Sequence, residues 1–300
     1  MCGLFGLFTK KNSTGLYDLL TALAVNTEAR GKDATGFTWL DKRGRMKHRK
    51  EALPSSEFVD QQYWKWMQRR LPKAVVGHCR FTTKGSPEIN ENNHPHVGER
   101  YSMAHNGTLK GYEYRPWTEL CQTECDSEAL LRVMELGDNA TKGVQRIYNA
   151  FYQSDFACIV VDKKTKNVIF FRNPKRPLRV WRGKNFVAIA STEQILERSF
   201  QMAFGTDSSK VNGLEKWTPV SGTMYTLNTT TLDIAKTELF DYSPKEQQGN
   251  VVQVGSDGST IQDVPDKVKQ YQHYSNTSSK PRHKGYKVDN KGNIIYNFDS

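Results

Sequence analysis

The stretch Asp155–Asn173, DFACIVVDKKTKNVIFFRN, decides the fold class. Two apolar runs, FACIVV and VIFF, flank the polar turn signal KKTKN and predict an antiparallel hairpin. Neither run alternates with polar residues, so both faces of these strands are apolar and both must be covered. LRVWRGKNFVAIAS (178–191) repeats the design, and GTMYTLNTTTLDIAKTELF (222–240) reads as another strand pair. AVVGHCRF (74–81), YSMAHNG (101–107) and the opening CGLFGLF (2–8) read as single strands, and GFTWLD and RMKHRKEA around KRG as a further hairpin.

Helical patterns interleave with these strands. In LYDLLTALAVNTEARG, Leu16, Leu19, Leu20, Leu23 and Ala24 share one helical face and Gly31 is the expected stop. A second helix is expected over SSEFVDQQYWKWMQRRL (55–71) with Ser55 or Ser56 as its cap. DSEALLRVMELG, TKGVQRIYNAFYQ and TEQILERSFQMAF supply three more. The simplest architecture hiding both faces of every sheet is a layered α+β domain, with two stacked sheets between layers of helices. After Asp241 the chain turns rich in Ser, Gly, Gln, Asn and Lys and loses periodic apolar positions. The expectation is a folded domain over 2–242 and a flexible polar tail over 243–300, with NIIYNF near its end as a short docking strand or partner-binding peptide.

The 300-residue chain has 37% apolar and 25% charged residues, enough to bury a core. No run reaches the roughly 20 apolar residues of a membrane helix, and the start lacks the pattern of a signal peptide. A cytoplasmic protein without a membrane partner is expected. The five cysteines, an odd and scattered set, do not read as a disulfide framework. Cys121 and Cys125 lack a second Cys or His pair at zinc spacing, so every cysteine but Cys2 is expected to be an ordinary free thiol and no metal is expected. The formal charge of +11 concentrates in KRGRMKHRK (42–50) and RNPKRPLRVWRGK (172–184). That surplus permits contact with nucleic acid, but charge runs more often mark solvated loops, and no helix-turn-helix or zinc-finger pattern accompanies it.

Cys2 would become the N-terminal residue on removal of Met1, placing an α-amine with an ordinary pKa of about 8 beside a thiol. Taken alone, Cys2 reads better as a small apolar residue opening a buried strand. The rest of the chain changes this. CGLFG (2–6), RGKDATG (30–36), GHCRFTTKG (77–85), NHPH (93–96), HNG (105–107) and ECDSE (124–128) occur in this order. Together they resemble the class II glutamine amidotransferases of the N-terminal-nucleophile hydrolases, over roughly residues 2 to 240.

That resemblance implies the family's four-layer αββα sandwich and hydrolysis of L-glutamine to glutamate and ammonia without a cofactor. It implies Cys2 as nucleophile and Asn106 and Gly107 as the oxyanion hole, although an Asn-Gly pair is also a common hairpin turn. Arg80 and Asp126 match the pair gripping the α-carboxylate and α-ammonium of glutamine. Phe81, Thr83 and Gly85 fall on the loop lining the same pocket. Arg30, His94 and His105 match supporting positions. Phe81 stands where the family usually has Trp, and Lys84, Cys79 and Cys125 also replace commoner residues. No ATP-pyrophosphatase or phosphate-loop motif is present, so ammonia is expected to pass to a separate acceptor synthase. Two other readings remain open on the same fold: an amidase for a different amide, which Arg80 and Asp126 argue against, and a non-catalytic binding protein, which intact Cys2, Asn106 and Gly107 argue against.

Overall fold

A computed structural model describes residues 1–10, 14–41, 43–69 and 72–242, with two short strands at 287–288 and 294–295. The first half of the order is β1 (Gly3–Thr9), α1 (Thr14–Thr27), β2 (Ala34–Leu40), β3 (Met46–Glu51), α2 (Ser55–Phe58), α3 (Gln62–Gln68), β4 (Ala74–Arg80), β5 (His96–Val97), β6 (Tyr101–Thr108) and α4 (Gly111–Tyr114). Then follow α5 (Glu128–Glu135), α6 (Ala140–Ala150), β7 (Asp155–Asp162), β8 (Val168–Arg172), β9 (Arg179–Arg182), β10 (Phe186–Ala190), α7 (Glu193–Phe204), β11 (Glu215–Trp217), β12 (Thr223–Leu227) and β13 (Ile234–Glu238).

The strands form two antiparallel sheets, ordered β11-β9-β10-β1-β4-β2-β3 and β13-β12-β8-β7-β6-β5. Side-chain alternation sorts the apolar runs between two cores. Leu4 and Phe8 of β1 and Val76 of β4 join Ala157, Ile159 and Val161 of β7 and Phe170 of β8 between the sheets. Phe5 and Leu7, pointing the other way, pack with Leu19, Leu20 and Leu23 of α1 and Phe200 of α7. On the far side, Tyr148 of α6 meets Phe156 of β7 and Phe171 of β8, with ring centroids 5.3 and 6.0 Å apart. The result is helices, sheet, sheet, helices: an αββα sandwich of the N-terminal-nucleophile hydrolase type. Each fully buried Leu or Phe contributes about 1.5–3 kcal/mol, which is why β1, apolar on both faces, lies at the centre of its sheet.

The helix ends follow local chemistry. Asn139 caps α6 and Thr192 caps α7 through their side chains, and α7 stops at Gly205, φ 64°. A 3₁₀ turn, Glu28–Arg30, extends α1 to the expected stop at Gly31. The segment 55–71 departs from expectation: instead of one helix capped by serine it forms α2 and α3, neither with a side-chain cap. Phe58 and Trp64 are both fully buried. Six residues apart, they would point about 120° apart on one continuous helix, so a break between them lets both reach the core. The Ser56 N–H is taken by Glu28 Oε2 at 2.6 Å.

Contacts divide the chain into Met1–Glu246 and Gln247–Ser300. In the second unit Lys287–Val288 (β14) pairs antiparallel with Ile294–Ile295 (β15), which places two residues of NIIYNF in a strand. The rest of the expected flexible tail lies outside the described residues. Among those described, no helix is long and apolar enough to cross a membrane.

Candidate active site

Register brings the motif residues to one end of the sandwich. Cys2 precedes β1, which pairs with β4 through Gly3↔Cys79 and with β10 through Phe5↔Ala190. The start of β1, the end of β4 and the end of β10 therefore coincide, placing Cys2, Arg80–Phe81 and Ser191 together. In the facing sheet, Asn106 and Gly107 lie opposite Ala157 and Phe156 near the start of β7.

Cys2 Sγ lies 3.4 Å from both the main-chain N and O of Phe81. Arg30 Nε donates to the Cys2 carbonyl at 2.8 Å, which anchors the start of β1. Burial pushes the Cys2 thiol above its ordinary pKa, against the Phe81 hydrogen bond, the N-terminal charge, Arg80 and Arg30, all of which favour thiolate. A thiol held up by burial needs a base beside it to react near neutral pH.

The HNG segment is buried rather than a surface turn, since Asn106 is 1% exposed. Asn106 Nδ2 lies 3.5 Å from Ser191 Oγ, which also accepts the Leu4 N–H at 2.8 Å. Ser191 thus ties the nucleophile strand to the Asn106 amide across the two sheets. A Cβ on Gly107 would sit 1.8 Å from the Asp155 carbonyl and 2.4 Å from His105 Nε2, so only glycine fits. His105 Nε2 faces that carbonyl at 3.2 Å and Nδ1 faces Ser127 Oγ at 2.8 Å. A carbonyl only accepts, so Nε2 carries the proton and the Ser127 hydroxyl donates to Nδ1. Burial lowers His105 to about 4 and His78 to about 3, and it holds His94 and His96 well below the ordinary imidazole value. All four imidazoles are neutral at pH 7.

Arg80 is 2% exposed. Its guanidinium donates to Asn93 Oδ1 at 2.6 Å and to the carbonyls of Lys84 and Gly85 at 2.5 and 2.9 Å. These bonds use three of its five N–H donors and hold the 84–85 loop. Gly85, at φ 75°, and Asp126 line a cleft of about 580 Å³ together with Lys84 and Tyr114. Asn92 clamps the two walls, donating to Ser86 O and Glu124 Oε2 and accepting from the Glu124 N–H. Phe81 is half exposed beside Cys2, while Thr83 is exposed.

Three participants were not singled out in the sequence. Ser191 and Asn92 belong to no motif role, and Arg176 sat in a run read as solvated charge. Arg176 Nη2 pairs with Asp155 at 3.0 Å while Nη1 reaches Met1 Sδ at 3.3 Å; Arg30 approaches the same sulfur at 3.9 Å. Two arginines thus flank Met1, the residue whose removal would free the Cys2 amine.

Known proteins are similar to this chain in sequence and in fold. The chain is 26% identical over 207 residues to the glutamine–fructose-6-phosphate aminotransferase (isomerizing) of Listeria monocytogenes, covering 64% of this chain and 32% of that protein. The Staphylococcus aureus enzyme of the same name is 26% identical over 208 residues, with the same coverage. A solved B. subtilis glutamine phosphoribosylpyrophosphate amidotransferase matches at TM-score 0.57 and 18% identity, over 80% of this chain and 49% of that one. The chain is similar in sequence to the first two and in fold to the third. It spans about a third of the length of these curated relatives. No family model matches it.

Proposed function

We propose that this amidotransferase relative is a glutaminase whose nucleophile is Cys2, freed by removal of Met1. The observation that carries the reading is Cys2 Sγ held against the Phe81 main chain while Ser191 links its strand to Asn106. The freed α-amine takes the thiol proton, and the sulfur attacks the side-chain amide carbon of glutamine. The carbonyl oxygen becomes an oxyanion received by the Asn106 amide and the Gly107 N–H. The α-ammonium returns its proton to the leaving nitrogen, ammonia departs, and a glutamyl thioester remains. Water, deprotonated by the same amine, then releases glutamate and regenerates the thiol. Asp126 and Arg80 would hold the ammonium and carboxylate of glutamine, with Thr83 and Gly85 shaping the pocket. Arg30, His94 and His105 act as supports, the last two neutral and so unsuited to trading protons near pH 7.

The same proposal includes a separate synthase that takes the ammonia before it equilibrates with solvent; co-purification from cells with no synthase recovered would count against it. The test of the glutaminase itself is intact mass together with glutamate release, beside Cys2→Ala. Loss of Met1 with Cys2-dependent release is expected. Retained Met1 with no release would overturn the catalytic reading. One observation favours a second substrate: with Arg80 bonded to loop carbonyls, an amide lacking the α-carboxylate is the alternative. Release of ammonia from such an amide but not from glutamine would select it.

A further inference from the structure

His94, His96 and Cys125 are all buried, and their candidate ligand atoms lie within 4.8 Å of one another. Neither ring nitrogen of His94 has a hydrogen-bond partner, nor does Nε2 of His96. A buried polar atom left unsatisfied forfeits its solvation, so this is an expensive way merely to fill space. We propose that His94, His96 and Cys125 form a binding site for a divalent transition-metal ion of the Zn²⁺ class, independent of the glutaminase reading.

Two imidazoles and one thiolate suit zinc better than magnesium or calcium, which prefer oxygen. Zn–N distances of about 2.0–2.1 Å and a Zn–S distance of about 2.3 Å imply tetrahedral edges of roughly 3.5 Å. The trio must therefore close by about 1 Å, a movement to which rotation of the unbonded His94 imidazole contributes without breaking a hydrogen bond. His94 stacks on His78 at 4.0 Å and meets His96 at 4.6 Å, which keeps the ligand rings in place. Cys125 also lines the cleft beside Asp126, giving the ion a route in and a water a fourth position.

Charge singles out the thiol. Lys50 lies near enough to influence both His96 and Cys125, and Arg80 influences His94 and His96. These cations disfavour a dication held by neutral imidazoles alone, and an anionic sulfur among the ligands offsets them directly. On binding, the S–metal bond replaces the S–H bond and one proton leaves to solvent, while the neutral histidines release none. The ion would join the segment before α5, which carries Asp126, to the start of β5 and the bend before it.

Full-length protein stripped with chelator and titrated with Co²⁺ should show a thiolate-to-cobalt charge-transfer band at one ion per chain. Zn²⁺ should displace the band, with one proton released per ion bound to the stripped protein. Cys125→Ser and His96→Asn should lose the band, while Cys121→Ser and Cys2→Ala keep it. No band in the unmodified protein, a band surviving in Cys125→Ser, or loss in Cys2→Ala would each overturn the site. Should the Cys125 variant fail to fold, alkylation of the unmodified protein decides. Zn²⁺ must protect Cys125 and leave Cys121 reactive, and equal labelling of Cys125 with and without the ion refutes the proposal.

Discussion

Ser191→Ala separates the structural and chemical jobs at the junction of the sheets. Ser191 Oγ accepts the Leu4 N–H at 2.8 Å, is fully buried, and lies 3.5 Å from Asn106 Nδ2. Alanine leaves the Leu4 N–H without its acceptor, at about 1–3 kcal/mol. For a domain of this size that lowers the melting temperature by about 2–12 °C. The Asn106 amide survives but loses its neighbour, so glutamate release should fall by roughly tenfold, less than the loss of an oxyanion donor. Asn106→Ala should behave in the opposite way. Its amide has one long hydrogen bond, so stability should change by under about 1 kcal/mol, whereas kcat should fall about 10²–10³-fold. Thermal melts and a coupled glutamate assay on both variants decide. An unchanged melting temperature in Ser191→Ala, or full activity in Asn106→Ala, would refute the division of labour.

Acid should destabilise the protein through its buried histidines. Their folded pKa values lie below the unfolded value, about 6.5, so the unfolded chain binds more protons below that pH and stability falls as pH drops from 6.5 towards the 3–4 of His78 and His105. Each such group contributes up to about 1.4 kcal/mol per pH unit in that window, and a melting temperature flat from pH 6.5 to 4.5 would contradict this. Asn93→Ala removes the Oδ1 acceptor 2.6 Å from Arg80 and should cost about 1.5–3 kcal/mol, raising KM for glutamine more than it lowers kcat; steady-state kinetics with unchanged KM would count against Arg80 as a substrate ligand. Gly107→Ala drives a Cβ to 1.8 Å from a main-chain oxygen that cannot swing away, so a loss of at least about 3 kcal/mol is expected by denaturant titration, and a variant of native stability would show that the strand relaxes.

The layered fold was legible because burial on two faces leaves an unusual mark: apolar runs too continuous for a half-solvated strand and too short for a helix. Phe156 to Val161 alternate between the helix-facing and sheet-facing cores, as that mark requires. The split of 55–71 was not legible, because Phe58 and Trp64 each fit a helix locally and only the shared core sets their common direction. Motif order located the ends of β1, β4 and β6, whereas Ser191, 187 residues from the Leu4 N–H it accepts, sits in no motif.

Cys125 shows why spacing rules miss some sites. Ligand-spacing patterns work when one loop or helix turn supplies neighbouring ligands. Here His94 and His96 belong to the run into β5, Cys125 to the approach to α5, and β5 pairs with β6 through His96↔Met103. Nothing in the intervening residues encodes their meeting; packing of α5 beside that edge does. A serine or threonine at 125 would leave two imidazoles near Lys50 and Arg80 without the thiolate that a soft divalent ion prefers. The unpartnered histidine nitrogens would then be a packing cost alone, so metal affinity should depend on the chemistry of this single position.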